Sequence, residues 1–128
     1  MTDRETQRDA ERVAHILEAA AKLAEVVAEG REAFDTNWRL RDIAERRLEI
    51  IGEAAGHLSA RFVAAHPGLD IAGARRMRDF IAHSYFKVDR DLVWDAIIVS
   101  VPHLAAMLWA HPDVAGPGVG GNPPPLDV

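Results

Sequence analysis

Apolar residues at Val13, Ile16, Leu17, Ala20, Ala24 and Val27 recur at spacings of three and four with acidic residues between them, and no stretch sustains period-two alternation. That periodicity builds helices and leaves no segment suited to a sheet. It predicts an amphipathic helix over about residues 4–29, stopped by Gly30. A second helical pattern runs through Leu40, Ala44, Leu48, Ile51, Ala55, Leu58 and Phe62, with Asp35 or Thr36 as its cap and His66-Pro67-Gly68 as its end. A third starts at Asp70 or Ile71, places Met77, Phe80 and Ile81 in the core, and ends near Tyr85. The fourth is capped by Asp89, carries Asp91 in its first turn, and turns Val93, Ile97, Val101, Leu104 and Leu108 inward. Pro102 lies inside this last pattern and should kink it. The expected fold class is all-α, a bundle of four or five helices.

A chain of 128 residues supports one domain with a real core. Residues 112–128 hold five of the seven prolines and four of the nine glycines, so the expected division is a helical domain over 1–111 and a flexible tail over 112–128. There is no cysteine, which excludes disulfides, thiolate nucleophiles and sulfur-bound zinc. The first residues are charged where a signal peptide needs an apolar stretch, and no segment reads as a run of 18 apolar residues. A cytoplasmic protein with no membrane contact is expected.

Net charge is −5, which argues against nucleic-acid binding by broad counterion release. Its distribution says more. Residues 1–35 carry five basic against nine acidic side chains, whereas residues 75–90 carry Arg75, Arg76, Arg78, Lys87 and Arg90 against Asp79 and Asp89. Thirteen of the fifteen basic residues are arginine, a bias that genome composition explains as well as binding does.

The basic island coincides with the run Arg78-Asp79-Phe80-Ile81-Ala82-His83-Ser84-Tyr85. Arginine is a permanent planar cation matched to phosphate oxygens, and histidine passes protons near neutrality, so the run holds the parts for cutting RNA without a metal. On an ideal helix Arg78 and Tyr85 share a face and Asp79 can reach His83, but Arg78 and His83 diverge by about 140°. Either the helix loosens before His83, or a symmetry-related helix completes the site. The competing reading makes Arg78 a solvated cation and His83 a buried structural histidine. Gly52, Ala55 and Gly56 mark a close helix crossing, in the core or at a dimer interface, and Glu53 beside them reads as a solvated or capping carboxylate rather than a cleft residue. His15, His57, His66, His103 and His111 lack metal-ligand spacing, so no metal or other cofactor is assigned. Trp38, Trp94 and Trp109 read as core anchors.

Two stretches resemble the HepT-like branch of the HEPN superfamily: Arg47-Leu48-Glu49-Ile50-Ile51-Gly52-Glu53-Ala54-Ala55, and Met77 through Trp94. Val101-Pro102-His103-Leu104 is similar to a pattern in that family's last helix, and the resemblance runs from about residue 5 to about residue 110. It implies a HEPN-like symmetric homodimer and a metal-independent endoribonuclease, the toxin of a toxin–antitoxin pair. Arg78 and His83 are then the catalytic pair, Asp79 a supporting residue, and the product end a 2′,3′-cyclic phosphate. It further implies a minimal nucleotidyltransferase partner that silences the nuclease by AMP transfer to Tyr85. Asparagine is commoner than aspartate after that arginine, so Asp79 fits an orienting role toward His83 or Arg78 better than contact with RNA. The alternative is a catalytically silent module that binds the nucleotidyltransferase, or a nucleotide, through Arg78 and Tyr85.

Overall fold

The computed structural model describes residues 3–83 and 89–110, all-α among the described residues. Helix α1 spans Asp3–Glu29, α2 Arg31–Thr36, α3 Trp38–Gly56, α4 Ala60–Ala65, α5 Ile71–Ala82, α6 Arg90–Asp95 and α7 Val101–Ala110. A π-helical turn, Ala96–Ser100, joins α6 to α7. Four long helical runs form the bundle, with α3 packed between α1 and α5 and the α6–α7 run laid across α1. Residues 111–128, where the sequence predicts a tail, and Tyr85 lie outside the described residues.

The core takes Val13, Ile16, Leu17 and Ala20 from α1, then Leu23 and Val26 rather than Ala24, with Val27 partly buried against it. The larger Leu23 continues the row one turn pair beyond Ile16, which turns Ala24 to solvent. From the last run come Val93, Ile97, Val101, Leu104 and Leu108, as the periodicity predicts. Full burial of a side chain such as Ile16, Leu23 or Leu108 contributes about 1.5–3 kcal/mol each. Two expected core residues are elsewhere. Phe80 is 37% exposed and Trp38 is 56% exposed, the latter lying beneath the Arg39 guanidinium at 4.8 Å. Trp94 and Trp109 pack against the core, Trp94 on Phe34 with ring centroids 5.2 Å apart.

The second helical pattern is not one helix. Gly30, at φ 94°, ends α1 in a conformation that only glycine adopts cheaply, and α2 starts at once. Asp35 and Thr36 do not cap α3, because Asp35 holds Arg31 at 2.9 Å and the Thr36 hydroxyl donates to the Glu32 carbonyl at 2.9 Å. Asn37 is the cap, accepting from the Arg39 amide at 3.0 Å. The chain breaks again after Gly56. There the Ser59 amide and hydroxyl donate to buried Asp9 of α1 at 2.9 and 2.6 Å, and Ser59 Oγ caps α4 at Phe62. Leu58 and Phe62 stay on the core side of this break, which is why the periodicity ran through it.

Asp70 caps α5 through the Gly73 amide at 2.8 Å, and Asp89 caps α6 through the amides of Asp91 and Leu92. Pro102 has no amide to donate, and just before it the ladder steps to five-residue spacing, the Val101 amide donating to the Ala96 carbonyl. A wider turn thus absorbs the proline. Contrary to expectation, the run Arg90–Trp109 is long and apolar enough, by length and composition, to cross a membrane. Its apolar stripe is buried in the bundle, and Arg90 and Asp91 tie its start to Asp35 and Arg31.

At the α3–α5 crossing, a Cβ on Gly52 would lie 2.4 Å from Arg78 Cβ and 2.7 Å from the Ala74 carbonyl oxygen. On Gly56 it would meet only the Arg75 side chain, at 3.6 Å. The small-residue strip is therefore a core crossing within one chain at Gly52, with Gly56 exposed at its rim. Gly52→Ala is expected to destabilise by about 1–3 kcal/mol despite the better helix propensity of alanine, because α5 must move. Gly56→Ala should stay within about 0.5 kcal/mol of wild type. Urea midpoints at unchanged slope check both, and equal midpoints for the two variants would refute the crossing.

Candidate active site

Arg78 sits on the face of α5 that crosses α3, its Cβ held against Gly52. From there its guanidinium meets two carboxylates. Nη1 donates to Glu53 of α3 at 2.7 Å, while Nε and Nη2 donate to Asp79 Oδ1 at 3.1 and 2.7 Å. Three of the five guanidinium N–H groups are engaged, which leaves two for a ligand. Asp79, then Glu53, hold the Arg78 cation above its ordinary range, and Arg78 in turn holds the Asp79 carboxyl below the usual carboxylate range.

Asp79 thus orients Arg78 through its side chain and His83 only through its backbone. Helix α5 stays regular through Ala82, and His83 is its C-cap, with its amide still bonded to the Asp79 carbonyl at 3.1 Å. The helix does not loosen before His83, so the angular divergence from Arg78 persists. The His83 ring is exposed, not buried, and its Nδ1 lies 2.8 Å from the same Asp79 carbonyl oxygen. A carbonyl only accepts, so Nδ1 carries the proton and Nε2 is left to exchange one.

This device recurs in the chain. His57 at the end of α3 and His66 at the end of α4 also turn Nδ1 onto the carbonyl four residues back, at 2.8 and 2.7 Å. Capping is thus sufficient reason for a histidine at such a position, and Arg61 with His66 even repeats the spacing of Arg78 with His83; what distinguishes the latter pair is the two carboxylates that hold its arginine. Glu53, which sequence reasoning left as a solvated or capping carboxylate, is the long-range partner of Arg78. Its place one residue after the crossing glycine is the signal that pointed to it. Arg78 also lines a groove of about 430 Å³ between α1 and α3; His83 is not among the residues that line it.

A family model described as "Ribonuclease HepT-like" matches residues 16–109. The chain belongs to the HepT-like ribonuclease family. This HepT-like chain is 39% identical over 59 residues to "Probable ribonuclease HepT" of Thermococcus cleftensis, covering 46% of this chain and 54% of the relative. Two Methanocaldococcus jannaschii proteins whose names give a provisional RNase assignment also match. MJ0127 is 38% identical over 58 residues, 45% of this chain and 48% of that protein, and MJ1380 is 30% identical over 90 residues, 70% and 83%. The HepT-like match thus spans about half the length of several curated relatives. No solved structure matches.

The Arg78–Asp79 pair has a titration signature. A depressed Asp79 carboxyl contributes stability above the ordinary carboxylate range, and the contribution is lost as pH falls through the depressed value. Carbon-detected NMR titration should find the Asp79 midpoint below that range in the wild type and moved upward in Arg78→Ala. An unmoved midpoint would show that the carboxylate faces something else.

Proposed function

We propose that this protein is a metal-independent endoribonuclease, the toxin of a toxin–antitoxin pair in the cytoplasm. The observation that carries the reading is the pairing, on one helix, of an arginine held by two carboxylates with a histidine whose Nδ1 is tied and whose Nε2 is open. Family membership supplies the reaction class. In the reaction, His83 Nε2 takes the proton of a ribose 2′-hydroxyl or protonates the departing 5′-oxygen, and Arg78 stabilises the charge on the phosphorane. The substrate's own hydroxyl is the nucleophile, so a 2′,3′-cyclic phosphate results. Glu53 and Asp79 keep the guanidinium in place until the RNA phosphate takes up its remaining N–H groups.

The divergence of Arg78 and His83 along a regular α5 supports completion of the site by a second copy. A groove of about 670 Å³ between α5 and the α6–α7 run offers the surface for a twofold dimer: Met77 lines it with Phe80, Leu92 and Met107, the last two 47% and 41% exposed. Neither Arg78 nor His83 lines that groove, so it supplies the contact while the second copy's own arginine and histidine complete the proposed site, one histidine for each proton transfer. The silent-module reading draws on one observation, the carboxylates already on Arg78.

Purified protein in excess EDTA should cleave RNA, and Arg78→Ala or His83→Ala should each lower the rate about a hundredfold or more, at about 3 kcal/mol for a lost transition-state contact. Mixing the two inactive variants after co-refolding should restore part of the activity if the cleft is shared. Cleavage that requires added Mg²⁺, or full activity in His83→Ala, would contradict the mechanism.

Tyr85 is the proposed switch. A minimal nucleotidyltransferase that transfers AMP from ATP to the Tyr85 hydroxyl, with release of pyrophosphate, would add a phosphate able to compete with RNA for the catalytic arginine. Tyr85→Phe should therefore keep most cleavage yet resist neutralisation by the co-expressed partner. Mass spectrometry that finds the adenylate on another residue would displace Tyr85 from this role.

A further inference from the structure

The groove beside Arg78 has a composition that the chemistry at the scissile bond does not use. Arg12 and His15 enter it from α1, Arg46, Glu49 and His57 from α3, and the Arg78–Glu53 pair closes one end. Arg12 and Arg46 have no ion pair or hydrogen bond among the described residues, unlike Arg31, Arg78 and Arg90. Two unneutralised guanidinium groups therefore converge on a concave surface of a chain whose net charge is −5. Its lining contains no Phe, Tyr or Trp, so it offers bases no stacking platform. What it offers is cations, imidazole hydrogen-bonding groups and one further carboxylate.

We propose that this groove is a backbone subsite that holds the RNA strand next to the scissile phosphate, with Arg12 and Arg46 each contacting a flanking phosphate. This rests on the ribonuclease reading of Arg78 and His83. Phosphate contacts of this kind position a strand without reading its sequence, which matches a groove that has cations but no base-stacking surface. Glu49 has a use here that a simple phosphate site would not give it. Its carboxylate accepts from a ribose 2′-hydroxyl, the group that separates RNA from DNA. The strand thus runs from the C-terminal end of α5 past Arg78 and across α3 toward α1.

The test measures binding of a fluorescent RNA of about ten nucleotides to the full-length His83→Ala chain in EDTA, by anisotropy over a range of salt concentrations. Adding Arg12→Gln and Arg46→Gln should weaken binding about tenfold or more and flatten the salt dependence by about 1.4 in log–log slope, near 0.7 for each single-strand phosphate contact. Arg12→Lys with Arg46→Lys should keep the slope, which separates charge from packing, and Arg61→Gln, outside the groove, should leave both readouts unchanged. Parent-like binding by the glutamine pair would overturn the subsite, as would an equal loss in Arg61→Gln or no RNA binding by the parent. Binding that behaves as expected while the unmutated chain cleaves nothing would overturn the nuclease reading and leave the subsite standing.

Discussion

The close approach of α3 and α5 at Gly52 is the constraint on which the candidate site depends. With no side chain at that position, the backbone of Ala74 and the Cβ of Arg78 come within distances that any other residue would forbid. The cost is the helix propensity a glycine gives up, roughly 1 kcal/mol relative to alanine. The gain is that Arg78 emerges directly beside Glu53, one residue past the crossing, and beside the groove between α1 and α3. Position along α5 then follows from the Asp70 cap, which sets where the helix begins. The arginine is thus placed by packing and held by charge.

His83 is placed differently. It is the residue at which α5 ends, and its amide and its ring Nδ1 both donate to the Asp79 carbonyl. Because His57 and His66 end their helices in the same way, the geometry arises from local helix chemistry before any catalytic demand acts on it. A capping histidine already has one nitrogen fixed as a donor and the other turned outward, which is the state a proton-transfer group needs. The ring is exposed rather than buried, so the structural reading that the sequence offered keeps only its hydrogen bond, and that bond leaves Nε2 open for the proposed chemistry.

Much of the fold was legible in the sequence because long amphipathic helices write their period directly. The extent of α1, the start of α5 and the inward face of the last run followed from spacing and capping residues alone, whereas α5 ends at Ala82, short of the Tyr85 that the sequence suggested. What escaped was short-range competition for side chains. Asp35 and Thr36 look like caps, but both are engaged within α2, and Ser59 looks unremarkable until Asp9, fifty residues earlier in the chain, holds it. Phe80 and Trp38 show the other limit: apolar character does not reveal which face of a helix has a neighbour. At the candidate site, Arg78 and His83 are proposed from the run that contains them, whereas the engagement of Arg78 by Glu53 needed the fold. The groove with Arg12 and Arg46 joins three helices and had no linear signature.

A metal-free mechanism through Arg78 and His83 requires the substrate's own 2′-hydroxyl to act as nucleophile. The most direct measurement is mass spectrometry of the ends produced when the protein cleaves a defined RNA in EDTA, beside the same RNA carrying a single 2′-deoxy sugar at the mapped site. The account predicts a 2′,3′-cyclic phosphate with a 5′-hydroxyl on the first substrate and no cut at that position on the second. A 5′-phosphate with a 3′-hydroxyl, or cleavage of the 2′-deoxy position, would contradict it.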